Sequence, residues 1–268
     1  MGEGQMMIVG ERINASRQPI AEALKRKDAQ FFINEVSNQI NAGASVIDVN
    51  CGIIMESEMK DMLWLIDTIQ KDNAVRISID SPNPDVIKEA LESQKGPKAM
   101  INSITAEKTR YEKILPLCAK YDCDIIALTM DEKGMPHTAG QRFEIATIIM
   151  EICAEYGVKK DRIYIDPLIR PISTEQTQAE EILISIEEIS KIGLKTIAGL
   201  SNISYGLPNR SLINRTFLAM ASYAGLSACI IDPTDIKLMS VVRAAMALTG
   251  SDENSISYIK AFRDKKLV

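Results

Sequence analysis

Seven apolar runs in this chain each end on a polar residue. In order they are Val9-Gly10-Glu11, Val46-Ile47-Asp48-Val49-Asn50, Ile77-Ser78-Ile79-Asp80, Met100-Ile101-Asn102, Ile163-Tyr164-Ile165-Asp166, Gly199-Leu200-Ser201-Asn202 and Ile230-Ile231-Asp232. An eighth run, Asp124 to Leu128, stops at Thr129. If the runs are parallel strands, these side chains gather at one end of the sheet, the end where β/α barrels carry their active sites.

Amphipathic stretches separate the runs. Gly43, Gly157, Gly193 and Gly225 each follow such a stretch and precede an apolar run. Glycine just past a helix suits the left-handed turn that sends the chain back into a strand. Asn83-Pro84 reads as an N-cap with proline in the first turn, and Ser173-Thr174-Glu175-Gln176 as a capping box. The pattern predicts strands near 6–9, 45–49, 75–80, 99–102, 124–128, 162–166, 195–200 and 227–231. Helices are expected near 29–42, 56–72, 83–95, 108–121, 141–156, 175–192, 211–224 and 235–249, with a ninth near 252–264. This is a single α/β domain over 1–268, a (β/α)8 TIM barrel with an additional C-terminal helix. The rival, an open doubly wound sheet, would want a GxGxxG turn after the first strand, and none follows Val9.

The 268 residues suit one barrel, and 25% charged with 46% hydrophobic residues is ordinary for a water-soluble protein. A net charge of −5 supplies no basic footprint for nucleic acid. No run is long and apolar enough for a membrane span, and Met1-Gly2-Glu3-Gly4-Gln5 does not resemble a signal peptide, so a cytoplasmic location is expected. Cys51, Cys118, Cys123, Cys153 and Cys229 form no CxxC pair and are expected reduced and packed, with Cys51 lining the pocket. His137 is the single histidine, which excludes a multi-histidine metal site, and no metal is expected.

Each strand-end residue has a structural alternative. Aspartate before a helix is usually a cap, but Asn83 is better placed to cap than Asp80. Asp166 precedes Pro167, which keeps it extended, and its nearest cap candidates lie downstream. Asn102 serves equally as an Asx-turn residue. Together, two carboxylates and a carboxamide present acceptors and a donor to a flat heterocycle: a carboxylate accepts two parallel N–H bonds, and an amide offers both donor and acceptor. Asp48 and Asn50 lie two apart and point the same way. A glycosidase-like acid/base pair among Asp48, Asp80 and Asp166 is the alternative, but aromatic residues are only 5% and Trp64 falls inside a helix. Glu11-Arg12 is read either as an internal ion pair bracing the rim or as part of the substrate site. Asp232 is expected to be structural.

Gly10-Glu11-Arg12-Ile13-Asn14, Asp48-Val49-Asn50-Cys51-Gly52, Asp80-Ser81, Asn102-Ser103 and Gly199-Leu200-Ser201-Asn202-Ile203-Ser204 together resemble the pterin-binding barrels. The match is nearest to the methyltetrahydrofolate:corrinoid protein methyltransferases, including the folate domain of cobalamin-dependent methionine synthase. The resemblance implies that Asp80, Asn102 and Asp166 hold the pterin, with Asp48 and Asn50 behind them, and that Asn202 hydrogen-bonds near N5. It implies methyltetrahydrofolate or tetrahydrofolate as substrate and a corrinoid (cobalamin) supplied by a partner protein, since no Asp-x-His-x-x-Gly motif occurs. It also implies a homodimer. Asn202 and Asp80 are the expected catalytic residues, Asp80 linked to the proton relay. Arg12, Arg17 or Arg210 is expected to meet the folate tail at the rim. Dihydropteroate synthase shares the barrel but looks for a lysine after strand seven and Arg-x-His at strand eight. This chain has Asn202 and Ile230-Ile231-Asp232 there, and the loop Asn50-Cys51-Gly52-Ile53 lacks that synthase's Gly-x-Ser-Thr-x-Pro pattern. A folate-binding protein without catalysis is the remaining alternative.

Overall fold

Residues 6–52, 55–71 and 75–268 are described by a computed structural model. The strands are β1 (Met7–Asn14), β2 (Val46–Asn50), β3 (Ile77–Asp80), β4 (Met100–Ile104), β5 (Asp124–Leu128), β6 (Ile163–Asp166), β7 (Lys195–Gly199) and β8 (Ala228–Ile231). They pair in parallel and in chain order, and β8 closes on β1. Helices α1 (Gln18–Arg26) and α2 (Ala29–Ala42) follow β1. After β2 to β8 come, in turn, α3 (Met55–Gln70), α4 (Pro84–Ser93), α5 (Lys108–Tyr121), α6 (Ala139–Glu155), α7 (Gln178–Lys191), α8 (Arg210–Tyr223) and α9 (Ile236–Leu248), with α10 (Ile256–Arg263) appended. The expected barrel and its extra C-terminal helix are both present. Met1–Gln5, Ile53 of the second-strand loop and the expected helix end at 72 lie outside the described residues.

Alternation along each strand builds two cores. Val46, Met100, Ile126, Tyr164, Ile197 and Ala228 fill the barrel interior. Their neighbours in sequence, such as Ile47, Ile101, Ile125 and Ile165, pack outward against the helices. The period of two therefore carries Asp48 and Asn50 up the same inner face as Val46. At the closed end, buried Asp124 accepts from Arg162 Nη1 at 3.1 Å and from Arg76 Nη2.

Two elements depart from the expectation. The helix α1 is absent from the expected elements; Pro19 stands in its first turn and Ile20, Ala23 and Leu24 are buried, but it has no capping side chain. It ends at left-handed Lys27, and Asp28 then caps α2 by accepting from Phe31 N at 3.1 Å. The expected capping box at Ser173 does not form: Ser173 Oγ donates to Tyr205 O at 2.6 Å and Thr174 Oγ1 to Pro171 O at 2.7 Å, and α7 begins only at Gln178. The Ser173 hydroxyl thus ties the β6 loop to the β7 loop, and the Thr174 hydroxyl closes a turn within the β6 loop. A capping box does occur at α6, between Thr138 and Gln141. The four expected helix-ending glycines all have positive φ, and Asn83 Oδ1 caps α4.

Removing Asp124 takes the buried carboxylate partner from two partly buried guanidinium groups, leaving Arg76 with Lys98 O at 2.9 Å and Arg162 with Asp122 at 3.4 Å. Asp124→Ala is expected to lower unfolding stability by roughly 3 kcal/mol, read as a shift in the urea midpoint with the slope unchanged.

Candidate active site at the barrel mouth

Strand register sets the site. Asn50 lies level with Asp80, and Asp80 with Asn102, across three adjacent strands. One layer deeper, Asp48 is level with Ser78. The side chains bond in pairs: Asn50 Nδ2 donates to Asp80 Oδ2 at 2.9 Å, and Asn102 Nδ2 donates to Asp48 Oδ1 at 3.2 Å. Asn50 Oδ1 accepts from Gly52 N at 3.1 Å, which fixes the amide's orientation. Asn102 makes no Asx turn; its amide is used across the barrel instead.

Bulges re-aim side chains at two points. Between Gly10 and Ile13, β1 places two residues against the single Asp48 of β2, and between Asn102 and Ile104, β4 has an extra residue, Ser103. An extra residue bends a strand and redirects its side chains. Here it separates Glu11 from Arg12. Of the two readings of Glu11-Arg12, the internal ion pair does not form: Arg12 bonds Glu35 through Nε, and Asp232 Oδ2 through Nη1 at 2.8 Å. Asp232 also caps its own turn, accepting from Thr234 N at 2.9 Å, in keeping with its expected structural role. Gly10 permits this arrangement, since a Cβ there would meet Gln39 Oε1, the acceptor of Arg12 N at 3.2 Å.

Burial makes the mouth carboxyls reluctant to ionise. Asp48 is pushed up to about 7 by burial and by the charge of Asp80, against the Asn102 bond that lowers it. Burial likewise raises Asp80, opposed by the bond from Asn50 and the charge of Arg110. Glu11, buried and near Asp232, rises to about 7, with Arg17 acting in the opposite sense. Asp166 rises to about 6 through burial alone, partly offset by Leu168 N, which donates to its Oδ1 at 2.8 Å. The sequence leaves Asp166 without a structural partner, whereas the turn engages its Oδ1. Burial raises the Cys51 thiol to about 12, so it stays protonated beside the pocket.

The remaining predicted residues lie on the surrounding loops. Asn202 sits on a short 3-10 turn, Leu200–Ser204, after β7; it is exposed and makes no side-chain hydrogen bond among the described residues. Arg210 is engaged with Ser201 O at 2.6 Å and Ser204 Oγ at 3.1 Å. Arg17 is exposed with no side-chain hydrogen bond or ion pair among the described residues. Sequence reasoning left Glu11 ambiguous, although it continues the inward parity of Met7 and Val9. It also missed buried Glu58, which accepts from Ser81 Oγ at 2.6 Å beside Asp80. Among the described residues, no group of three or more His, Cys, Asp or Glu side chains is arranged to hold a metal.

The arrangement offers paired acceptors, amide donors and carboxyls that exchange a proton near neutrality. Comparison with known proteins places the chain in a family. Residues 10–232 match the family model described as "Pterin binding enzyme". The chain is 32% identical over 266 residues to "Methylcorrinoid:tetrahydrofolate methyltransferase" of Eubacterium limosum, covering 98% of each. It is 30% identical over 253 residues to "Methionine synthase" of Mycobacterium tuberculosis, covering 89% of this chain and 21% of that one. A solved structure of Xanthomonas albilineans dihydropteroate synthase with 4-aminobenzoic acid superposes with a TM-score of 0.70 at 16% identity, covering 93% of this chain and 94% of that one, a likeness of fold. A barrel whose matched region opens at the β1 bulge and closes at Asp232 thus belongs to the pterin-binding enzyme family.

Proposed function

We propose that this chain is a cytoplasmic methyltransferase acting between N5 of tetrahydrofolate and the cobalt of a corrinoid carried by a separate protein. The observation that carries the reading is the level row Asn50–Asp80–Asn102 with Asp48 beneath it, a set of amide and carboxyl groups matched to the edge of a pterin. The near-full-length likeness to the Eubacterium limosum enzyme supports the corrinoid as second substrate and the direction from methylcorrinoid to tetrahydrofolate. Five free, buried cysteines suit a reducing compartment.

In this reading Asp80, Asn102 and Asp166 hold the pterin, with Asn50 orienting Asp80. As the N5–methyl bond forms, N5 releases a proton; in reverse, N5 regains it before the bond breaks. Asp48, near neutrality and bonded to Asn102, is suited to take that proton through water, so the relay expected of Asp80 is shared with its deeper neighbour. Asn202 has an uncommitted amide, able to donate or accept as charge changes at N5, which stabilises the transition state more than the bound ground state. Arg17 takes the folate tail, because Arg12 and Arg210 are already engaged. A dihydropteroate synthase reading is disfavoured because Asn202 stands after β7 and Asp232 is bonded to Arg12.

A homodimer completes the proposal. The exposed apolar face of Ile184, Met220 and Tyr223 along the groove between α7 and α8 supports it. Sedimentation should then give twice the chain mass, and Tyr223→Glu should shift it to one; a monomeric wild type would contradict the dimer.

Mixing the protein with methylcobalamin and tetrahydrofolate should produce the cob(I)alamin spectrum together with methyltetrahydrofolate. Folate binding with no spectral change would support the non-catalytic binder instead. Asn202→Ala is expected to lower kcat roughly a hundredfold while the tetrahydrofolate Kd stays nearly constant; equal losses in both would contradict its role.

The carboxyl shifts also set a pH dependence. Glu11, Asp48 and Asp166 retain protons in the native state up to about 7, 7 and 6, whereas the unfolded chain releases them near pH 4. The native state therefore binds more protons across that window, and these groups make stability fall as pH rises through it. The melting temperature of the ligand-free protein should decline from pH 5 to 7, less steeply in Asp48→Asn. An identical slope in the variant would contradict the raised Asp48.

A further inference from the structure

Three arginines stand in the first turns of the helices that follow mouth strands: Arg110 in α5, Arg142 in α6 and Arg210 in α8. A cation there opposes the helix dipole, so simple helix stability does not explain them. Each folds back and donates to backbone carbonyls. Arg110 reaches Ser81 O at 2.9 Å, Ser103 O at 2.7 Å and Pro82 O. Arg142, fully buried, reaches Pro167 O at 2.7 Å, His137 O at 3.0 Å and Gln178 Oε1 at 2.8 Å. Arg210 reaches Ser201 O at 2.6 Å.

Each arginine reaches at least one carbonyl next to a proposed site residue, and Arg110 and Arg142 hold Pro82 O and His137 O besides. Ser81, Ser103 and Pro167 come directly after Asp80, Asn102 and Asp166, and Ser201 comes directly before Asn202. A planar guanidinium with several fixed donors can hold two loops at once, and Arg110 does so, clamping the β3 and β4 tips together.

We infer that Arg110, Arg142 and Arg210 are positioning residues, each holding the backbone beside one set of pterin-facing side chains: Arg110 for Asp80 and Asn102, Arg142 for Asp166, and Arg210 for Asn202. The assignment of effects rests on the proposed function, because the first two braces serve ring binding and the third serves the group facing N5. Arginine is required rather than any cation, since lysine restores the charge but not the divergent donors.

The test uses Arg110→Lys, Arg142→Lys, Arg210→Lys and, as a control on the appended helix, Arg263→Ala. Tetrahydrofolate Kd, kcat for methyl transfer with free cobalamin, melting temperature and amide hydrogen exchange are measured for each. Arg110→Lys and Arg142→Lys should weaken tetrahydrofolate binding by roughly tenfold to a hundredfold. Arg210→Lys should lower kcat by about tenfold with Kd nearly unchanged, and Arg263→Ala should change neither. Hydrogen exchange should quicken around residues 81–83 and 103–105 in the first variant, 167–169 in the second and 201–204 in the third. Exchange that is unchanged, or raised uniformly over the chain, would overturn the braces whatever the enzyme's substrate. If the wild type neither binds tetrahydrofolate nor transfers methyl while exchange follows the predicted pattern, the braces stand and the functional reading falls.

Discussion

Carboxyl groups crowded into a low-dielectric barrel mouth are the constraint around which this structure is arranged. Asp48 and Asp80 sit one layer apart on adjacent strands, and Glu11 reaches the same region from the β1 bulge. Taking such groups out of water disfavours ionisation, and each charge raises its neighbours further. The rest of the mouth offsets that burden without neutralising it. Asn50 donates an amide hydrogen bond to Asp80 and Asn102 one to Asp48, and the Arg110 guanidinium lowers Asp80 from nearby. Amides stabilise the charged form less than a direct ion pair would. The site is consequently left able to exchange a proton near neutral pH.

The two ends of the barrel make the contrast plain. At the closed end Asp124 is buried as deeply as Asp48, but two arginines bond it directly. At the open end arginines are plentiful as well, yet most of their bonds go to loop carbonyls rather than to the inward-facing carboxylates. Where Arg12 does form ion pairs, it takes Glu35 and Asp232, the groups at the margin. Direct pairing closes the floor, whereas backbone bracing shapes the mouth and leaves its acids reactive.

Much of this was legible in the chain because strand alternation has a short period. Val46, Asp48 and Asn50 declare their common face without any knowledge of the fold, and parallel strands in chain order then bring Asp80 and Asn102 alongside. Helix ends at Gly43, Gly157, Gly193 and Gly225 were legible for a similarly local reason, the positive φ that glycine tolerates. The illegible parts depend on distant partners. Adjacency makes Glu11 one natural partner for Arg12, but a bulge turns Arg12 toward Asp232, 220 residues away. Ser173 looked like a cap until the β7 loop supplied Tyr205 O as a nearer acceptor. The braces at Arg110 and Arg142 leave little mark in the sequence because all but one of their acceptors are backbone carbonyls, the exception being Gln178 Oε1.

In the proposed reading, pterin N–H groups bind the ionised forms of mouth carboxyls that otherwise hold protons. Calorimetry of tetrahydrofolate binding at pH 6, repeated in two buffers of different ionisation enthalpy, tests it most directly. Asp166, half protonated near that pH when free, must lose its proton to accept two N–H bonds. The observed heat should therefore depend on the buffer, with a net release of protons on binding. Binding with the same heat in both buffers, or with proton uptake, would contradict the account.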